Sequence, residues 1–159
     1  MKTAIIYYSY DGNCAFAAQI MKDATKADVF EIKTVDSKRR NGFLKIVWGG
    51  MQVVLKKKPA IHPLPVNTDA YDLVVLGTPV WAGSPAPAMV SFLDGKKITG
   101  KKIALFCCHG GGKGTIFEKF RALLPGNNFV GELDLQQPAR KERAVSEQLI
   151  KDWVKKLGF

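Results

Sequence analysis

The chain has 159 residues, 47% of them hydrophobic and 24% charged, and its 24 Lys and Arg outweigh 14 Asp and Glu for a formal net charge of +10. That length fits one domain over residues 1–159 that needs no disulfide or metal for stability, and no apolar run approaches the roughly 18 residues of a membrane span or forms a secretory core after Met1-Lys2. Cys14, Cys107 and Cys108 make neither a C-x-x-C pair nor a disulfide framework, so reduced thiols and a cytoplasmic location are expected.

Apolar runs alternate with longer helical patterns, which predicts stacked βαβ units, an α/β fold and a mostly parallel sheet of five strands. The first strand is expected at Thr3 to Tyr8, followed by the polar turn Ser9 to Cys14 and a helix near 14–24. A second strand at Asp28 to Lys33 leads to a helix near 42–57 with little polar face, in which Gly49-Gly50 imply close packing or a kink. The excess apolar surface is expected to lie under the following segment, Lys58 to Ala70, whose three prolines suit an irregular crossing of the surface, or else in a dimer or partner interface. The third strand, Asp72 to Leu76, precedes a loop from Gly77 to Gly83 and a helix near 86–94. The fourth, Lys102 to Cys108, precedes the glycine loop His109 to Gly114 and a helix near 115–124. Runs such as Leu73-Val74-Val75-Leu76 suit strands buried on both faces. The fifth strand, Phe129 to Leu135, is interspersed with Gly131, Glu132 and Asp134 and reads as an edge, with a last helix near 142–157.

The junction after the first strand is the most informative. The first four amides of a helix lack intrahelical partners and sit at the positive end of its dipole, so a polar turn opening a helix suits a phosphate dianion. In a doubly wound sheet the loops after strands one, three and four meet outside the carboxyl ends of the strands. One supplies phosphate donors, the second a Trp held by Pro and Gly turns, and the third a side-chain-poor backbone that a flat ligand can approach. Together they imply a nucleotide-like cofactor with a planar ring.

The phosphate turn and the Thr78-Pro79-Val80-Trp81-Ala82-Gly83 motif resemble the flavodoxin-like flavoproteins of the short-chain form, over essentially the whole chain. The resemblance implies a doubly wound sheet of order 2-1-3-4-5 with helices on both faces, and FMN as ligand. Its phosphate would rest on Ser9, Asp11, Gly12, Asn13, Cys14 and Ala15. Its ring would lie between the 78–83 and 109–113 loops, against Thr78, Pro79, Val80, Trp81, Gly83, His109, Gly110, Gly111 and Lys113.

Several departures bear on function. Cys14 stands where many flavodoxins have Thr, which replaces a hydroxyl donor by a weak thiol. Asp11 brings a negative charge to an anion site unless its side chain turns outward. Low-potential flavodoxins surround the ring with aromatic and acidic groups. Here Trp81 covers one face, and His109 and Lys113 in a basic protein favour a reduced flavin charged near N1, so a high second reduction potential is expected.

The open face could admit a quinone or nicotinamide, so three readings stand: an electron carrier between partner proteins, an FMN-dependent NAD(P)H or quinone reductase, and a flavodoxin-fold interaction module without cofactor. The charge suits an acidic redox partner or an anionic membrane carrying quinone. Basic runs such as Lys56-Lys57-Lys58 and Arg140-Lys141 with Arg143 carry no interleaved aromatics, so no specific nucleic acid is expected. The chain could be a monomer or a homodimer. The Walker-like Gly110 to Thr115 lacks the required spacing, no G-x-G-x-x-G occurs, and two His with three Cys show no metal-ligand spacing. Cys107 and Cys108 should pack on opposite faces of the sheet as small apolar groups, which leaves Cys14, at a helix N-terminus, as the expected reactive thiol. His62 is expected on the surface.

Overall fold

The computed structural model describes residues 1–35, 51 and 58–158. In chain order these form β1 (Thr3–Tyr8), α1 (Asn13–Thr25), β2 (Asp28–Ile32), β3 (Leu73–Trp81), the two-residue β4 (Ser84–Pro85), α2 (Pro87–Asp94), β5 (Lys102–His109), α3 (Ile116–Leu123), β6 (Asn128–Gln136) and α4 (Arg143–Lys156). The helix expected at 42–57 lies outside the described residues, except for the exposed Met51.

The sheet runs β2-β1-β3-β5-β6 with all four pairings parallel. Counting only those five strands, this is the expected order 2-1-3-4-5. The addition is β4, which pairs antiparallel with the far end of β3. The third strand is therefore longer than expected, because Gly77 to Trp81 continue the ladder and only Ala82-Gly83 form the turn. Both turn residues have positive φ, 48° and 65°. That combination defines the type I′ turn whose twist matches a two-residue hairpin.

Each face of the sheet buries its own apolar layer. Alternate residues of β1, β3 and β5 (Ile6, Leu76, Cys107) pack with Met89 and Phe92 of α2 and with Phe117 and Phe120 of α3. The opposite set (Ile5, Val75, Cys108) packs with Ala17, Ala18 and Met21 of α1 and with Ile150, Trp153 and Val154 of α4. Strand side chains alternate and helix side chains recur every three or four positions, so these sets are the ones that two flanking helix layers can cover. Cys107 and Cys108 fall one on each face, as their adjacency predicts.

The edge expected at Phe129 to Leu135 is observed, since β6 alternates exposed and covered residues and pairs on one side only. Its register slips at Ile103/Ala104 opposite Phe129 and Gly131. A Cβ on Gly131 would come within 2.8 Å of Leu157 Cδ2, so its absence lets the end of α4 close on the edge strand. The Pro-rich segment pairs with the residues just past β2: the Val35 amide donates to Ala60 O at 2.9 Å and the His62 amide to Lys33 O at 2.8 Å, and the His62 side chain is exposed. Among the described residues no helix is long and apolar enough to cross a membrane.

Candidate functional site

The carboxyl ends of β1, β3 and β5 open into one cleft of about 420 Å³. Cofactor clefts commonly lie between 300 and 1,000 Å³. Ser9, Tyr10, Asp11, Asn13 and Cys14 line one end, and Pro79, Val80, Trp81, Ala82, Cys108, His109, Gly110, Gln137 and Arg140 complete the wall.

At the first end, Gly12 caps α1 in the left-handed conformation with φ 86°, which costs a residue without a Cβ little, and has no side chain of its own to cap the helix. The Gly12 carbonyl accepts from the Phe16 amide at 2.9 Å, and Ser9 Oγ accepts from the Ala15 amide at 3.2 Å. Asn13 and Cys14 occupy the first turn of α1, where amides have no i−4 carbonyl to bond and face the cleft end of the helix. No acidic side chain sits in that turn, so the dipole is left for a ligand. Asn13 Oδ1 accepts from the Ala139 amide at 3.1 Å, tying the phosphate turn to the segment after β6.

Cys14 departs from expectation. Its side chain is buried on the sheet side of α1, and burial, with hydrogen bonding to Cys108, pushes its thiol well above the usual range. Desolvation of the thiolate outweighs the helix N-terminus, so Cys14 is not the poised nucleophile that its position implies. Burial also pushes up the Cys107 thiol.

The aromatic wall is a cluster. Trp81 meets Tyr10 edge to face at 5.5 Å and Tyr8 at 6.2 Å, and Tyr10 itself lines the cleft. Thr78 does not reach the cleft: its hydroxyl is buried and accepts from the Ala86 amide at 3.0 Å, bracing the hairpin. The hairpin is further held by Lys119, whose Nζ donates to Ser84 Oγ at 2.7 Å.

His109 closes the opposite wall. Its side chain is 10% exposed, and both ring nitrogens are buried with no hydrogen-bond partner. Nε2 lies 3.5 Å from Asp134 Oδ2, outside hydrogen-bond geometry. Asp134 also draws Lys113 to 3.8 Å, so the Lys113 charge is partly matched and its side chain stands outside the cleft wall. That weakens the basic field expected beside a ring.

Of the residues picked from sequence, Ser9, Asp11, Asn13, Cys14, Pro79, Val80, Trp81, His109 and Gly110 converge on the cleft wall, whereas Gly12, Ala15, Thr78, Gly83, Gly111 and Lys113 do not line it. Tyr10, Ala82, Cys108, Gln137 and Arg140 line it without having been picked. Tyr10 and Ala82 fall inside motifs already singled out. Gln137 and Arg140 follow the fifth main strand, and the rule that loops at carboxyl ends meet is the signal that includes them.

The flavodoxin family model matches residues 2–157. Among solved structures, a flavoprotein in complex with FMN from Lactobacillus acidophilus NCFM is similar over 89% of this chain and 97% of its own, with TM-score 0.73 and 24% identity. The two-electron reduced flavodoxin of Megasphaera elsdenii is similar over 97% and 99%, with TM-score 0.57 and 20% identity. A Fusobacterium nucleatum flavodoxin bound to flavin mononucleotide is similar over 99% and 97%, with TM-score 0.61 and 13% identity. No curated protein matches the sequence. At these identities the likeness of structures concerns the fold, and it is the family match over nearly the whole chain, on a sheet of the expected order, that places this protein in the flavodoxin family.

Proposed function

We propose that this flavodoxin binds FMN noncovalently in the cleft and passes electrons between partner proteins. The observation that carries the reading is convergence: the first turn of α1, the Trp81–Tyr10 wall and His109 all line one cleft of about 420 Å³. The residues present fit the group. The Asn13 and Cys14 amides would take the phosphate, while Pro79 to Ala82 and His109-Gly110 would flank the ring. When bound, FMN supplies a carrier of one or two electrons.

The chain's own contribution is binding and orientation. The hairpin of β3 and β4 fixes Trp81, and Tyr8 and Tyr10 pack edge-on against its ring. His109, beside Asp134 of β6, supplies the opposite wall of the cleft. The free thiols suit the reducing conditions of the cytoplasm. The excess of basic residues suits an acidic redox partner.

A second reading, an FMN-dependent NAD(P)H or quinone reductase, draws support from His109, a cleft-lining residue of the type most often used in proton transfer. Absorbance of purified protein after addition of FMN, followed by reductive titration, tests the first claim. A chain that retains no flavin overturns it. Steady-state NADPH oxidation with a quinone then separates the two roles, because a carrier alone supports almost none.

A further inference from the structure

We infer that Arg140 is a phosphate-binding residue of this cleft, a cation brought to the flavin phosphate from outside the phosphate turn. The inference rests on the FMN reading above and extends it to a residue that no motif singles out.

The segment after β6 crosses the cleft from one wall to the other. At its start the Gln137 amide donates to His109 O at 3.0 Å, which anchors it at the His109 wall. Two residues on, the Ala139 amide donates to Asn13 Oδ1 at 3.1 Å, which anchors it to the first turn of α1. Arg140 follows directly, so it stands at the phosphate end of the cleft that it lines, and Gln137 stands at the opposite end. Its backbone amide is committed to Gln137 O at 2.9 Å, but its guanidinium has no ion pair or hydrogen bond among the described residues.

The α1 terminus alone would not define a ligand site. The independent observation is His109, a nine-tenths buried imidazole that lines the same cleft and makes no hydrogen bond among the described residues. A ligand reaching from His109 to Asn13 passes Arg140. Guanidinium forks match phosphate oxygens bidentately, and charge-assisted hydrogen bonds are the stronger kind.

The test is equilibrium titration of the full chain with FMN and, separately, with riboflavin, followed by flavin fluorescence, for wild type, Arg140→Gln, Arg140→Lys and Lys141→Gln. Arg140→Gln should weaken FMN about tenfold or more while leaving riboflavin within about twofold, since a hydrogen bond to a charged group is worth a factor of that order. Arg140→Lys should recover part of the loss, and Lys141→Gln, an exposed neighbour off the cleft wall, should change little. Equal FMN affinity in wild type and Arg140→Gln overturns the inference and leaves the FMN reading intact. An equal loss in Lys141→Gln overturns it too, because the effect is then the general field of a basic protein. Parallel losses for FMN and riboflavin overturn it by showing that Arg140 does not address the phosphate. If wild type binds neither flavin, the FMN reading fails and takes this inference with it.

Discussion

The ring of Phe106 occupies the space that a Cβ on Gly77 would need, with Cζ 1.9 Å and Cε1 2.1 Å from that position. The two residues are register partners on β5 and β3, in the middle of the sheet and upstream of the hairpin that carries Trp81. Gly77→Ala therefore forces the fully buried Phe106 off its place, with a cost in the overpacking range of about 1–3 kcal/mol or above. Phe106→Leu alone leaves a cavity and costs of the same order. The double variant should be less destabilised than the two losses added, since each change relieves the other. Urea midpoints of the four proteins check this, and strict additivity would show that the ring is not what Gly77 accommodates.

Ala82 holds φ 48° at the first position of the β3–β4 turn. An Ala in the left-handed region costs about 1–2 kcal/mol, and Asn tolerates it far better without loosening the unfolded chain as Gly does. Ala82→Asn creates the Asn-Gly pair favoured in type I′ turns and is expected to stabilise the protein by about 0.5–1 kcal/mol. A thermal midpoint at or below that of wild type would contradict the turn assignment.

Both His109 nitrogens are buried without a hydrogen bond among the described residues, which carries a cost in the folded protein. Replacing the ring by an apolar group should stabilise the apo form by about 1 kcal/mol, because an unsatisfied buried polar group costs about 1–3 kcal/mol. His109→Leu is thus expected to raise the apoprotein melting temperature and to weaken FMN. Melting curves with and without FMN measure both, and a fall in apo stability would show that Asp134 already satisfies the imidazole.

All three cysteines are buried. With the Cys14 and Cys107 thiols pushed up by burial, little thiolate exists at pH 8 and access requires opening of the structure. Labelling of the native protein by a maleimide should be slow at all three positions and become fast in urea. Rapid native modification of Cys14 would mean that the α1 terminus governs its thiol after all.

Tyr7 is pushed up from 10.0 to about 12, by burial first and then by Glu31 and Cys14. The folded chain keeps a proton that the unfolded chain releases, so its stabilising effect is complete below pH 10 and is lost as pH rises toward about 12. Two units correspond to about 2–3 kcal/mol. Urea midpoints followed through that window should fall more steeply for wild type than for Tyr7→Phe. Equal slopes would remove Tyr7 from the account.

Local periodicity determined much of this protein before any contact was known. Period-two and period-3.6 patterns place the five long strands and the described helices to within a few residues, except at β3, because these spacings reflect which face a side chain must bury. The polar turn between β1 and α1 was legible for a related reason: a strand end and a helix start are both local.

What needed the tertiary structure is whatever depends on which distant segments meet. Asn13 and Ala139, 126 residues apart, join across the cleft and bring Arg140 to its edge, a pairing that no local spacing encodes. Cys14 carries a helix-terminus signature, yet packing turns its thiol inward, and desolvation then overrides the dipole. Lys113 belongs by sequence to the glycine loop, but Asp134 on the edge strand draws it away from the wall. Side-chain direction is settled by packing and by long-range charge, and so the chain alone located the cleft while the fold decided which residues face it.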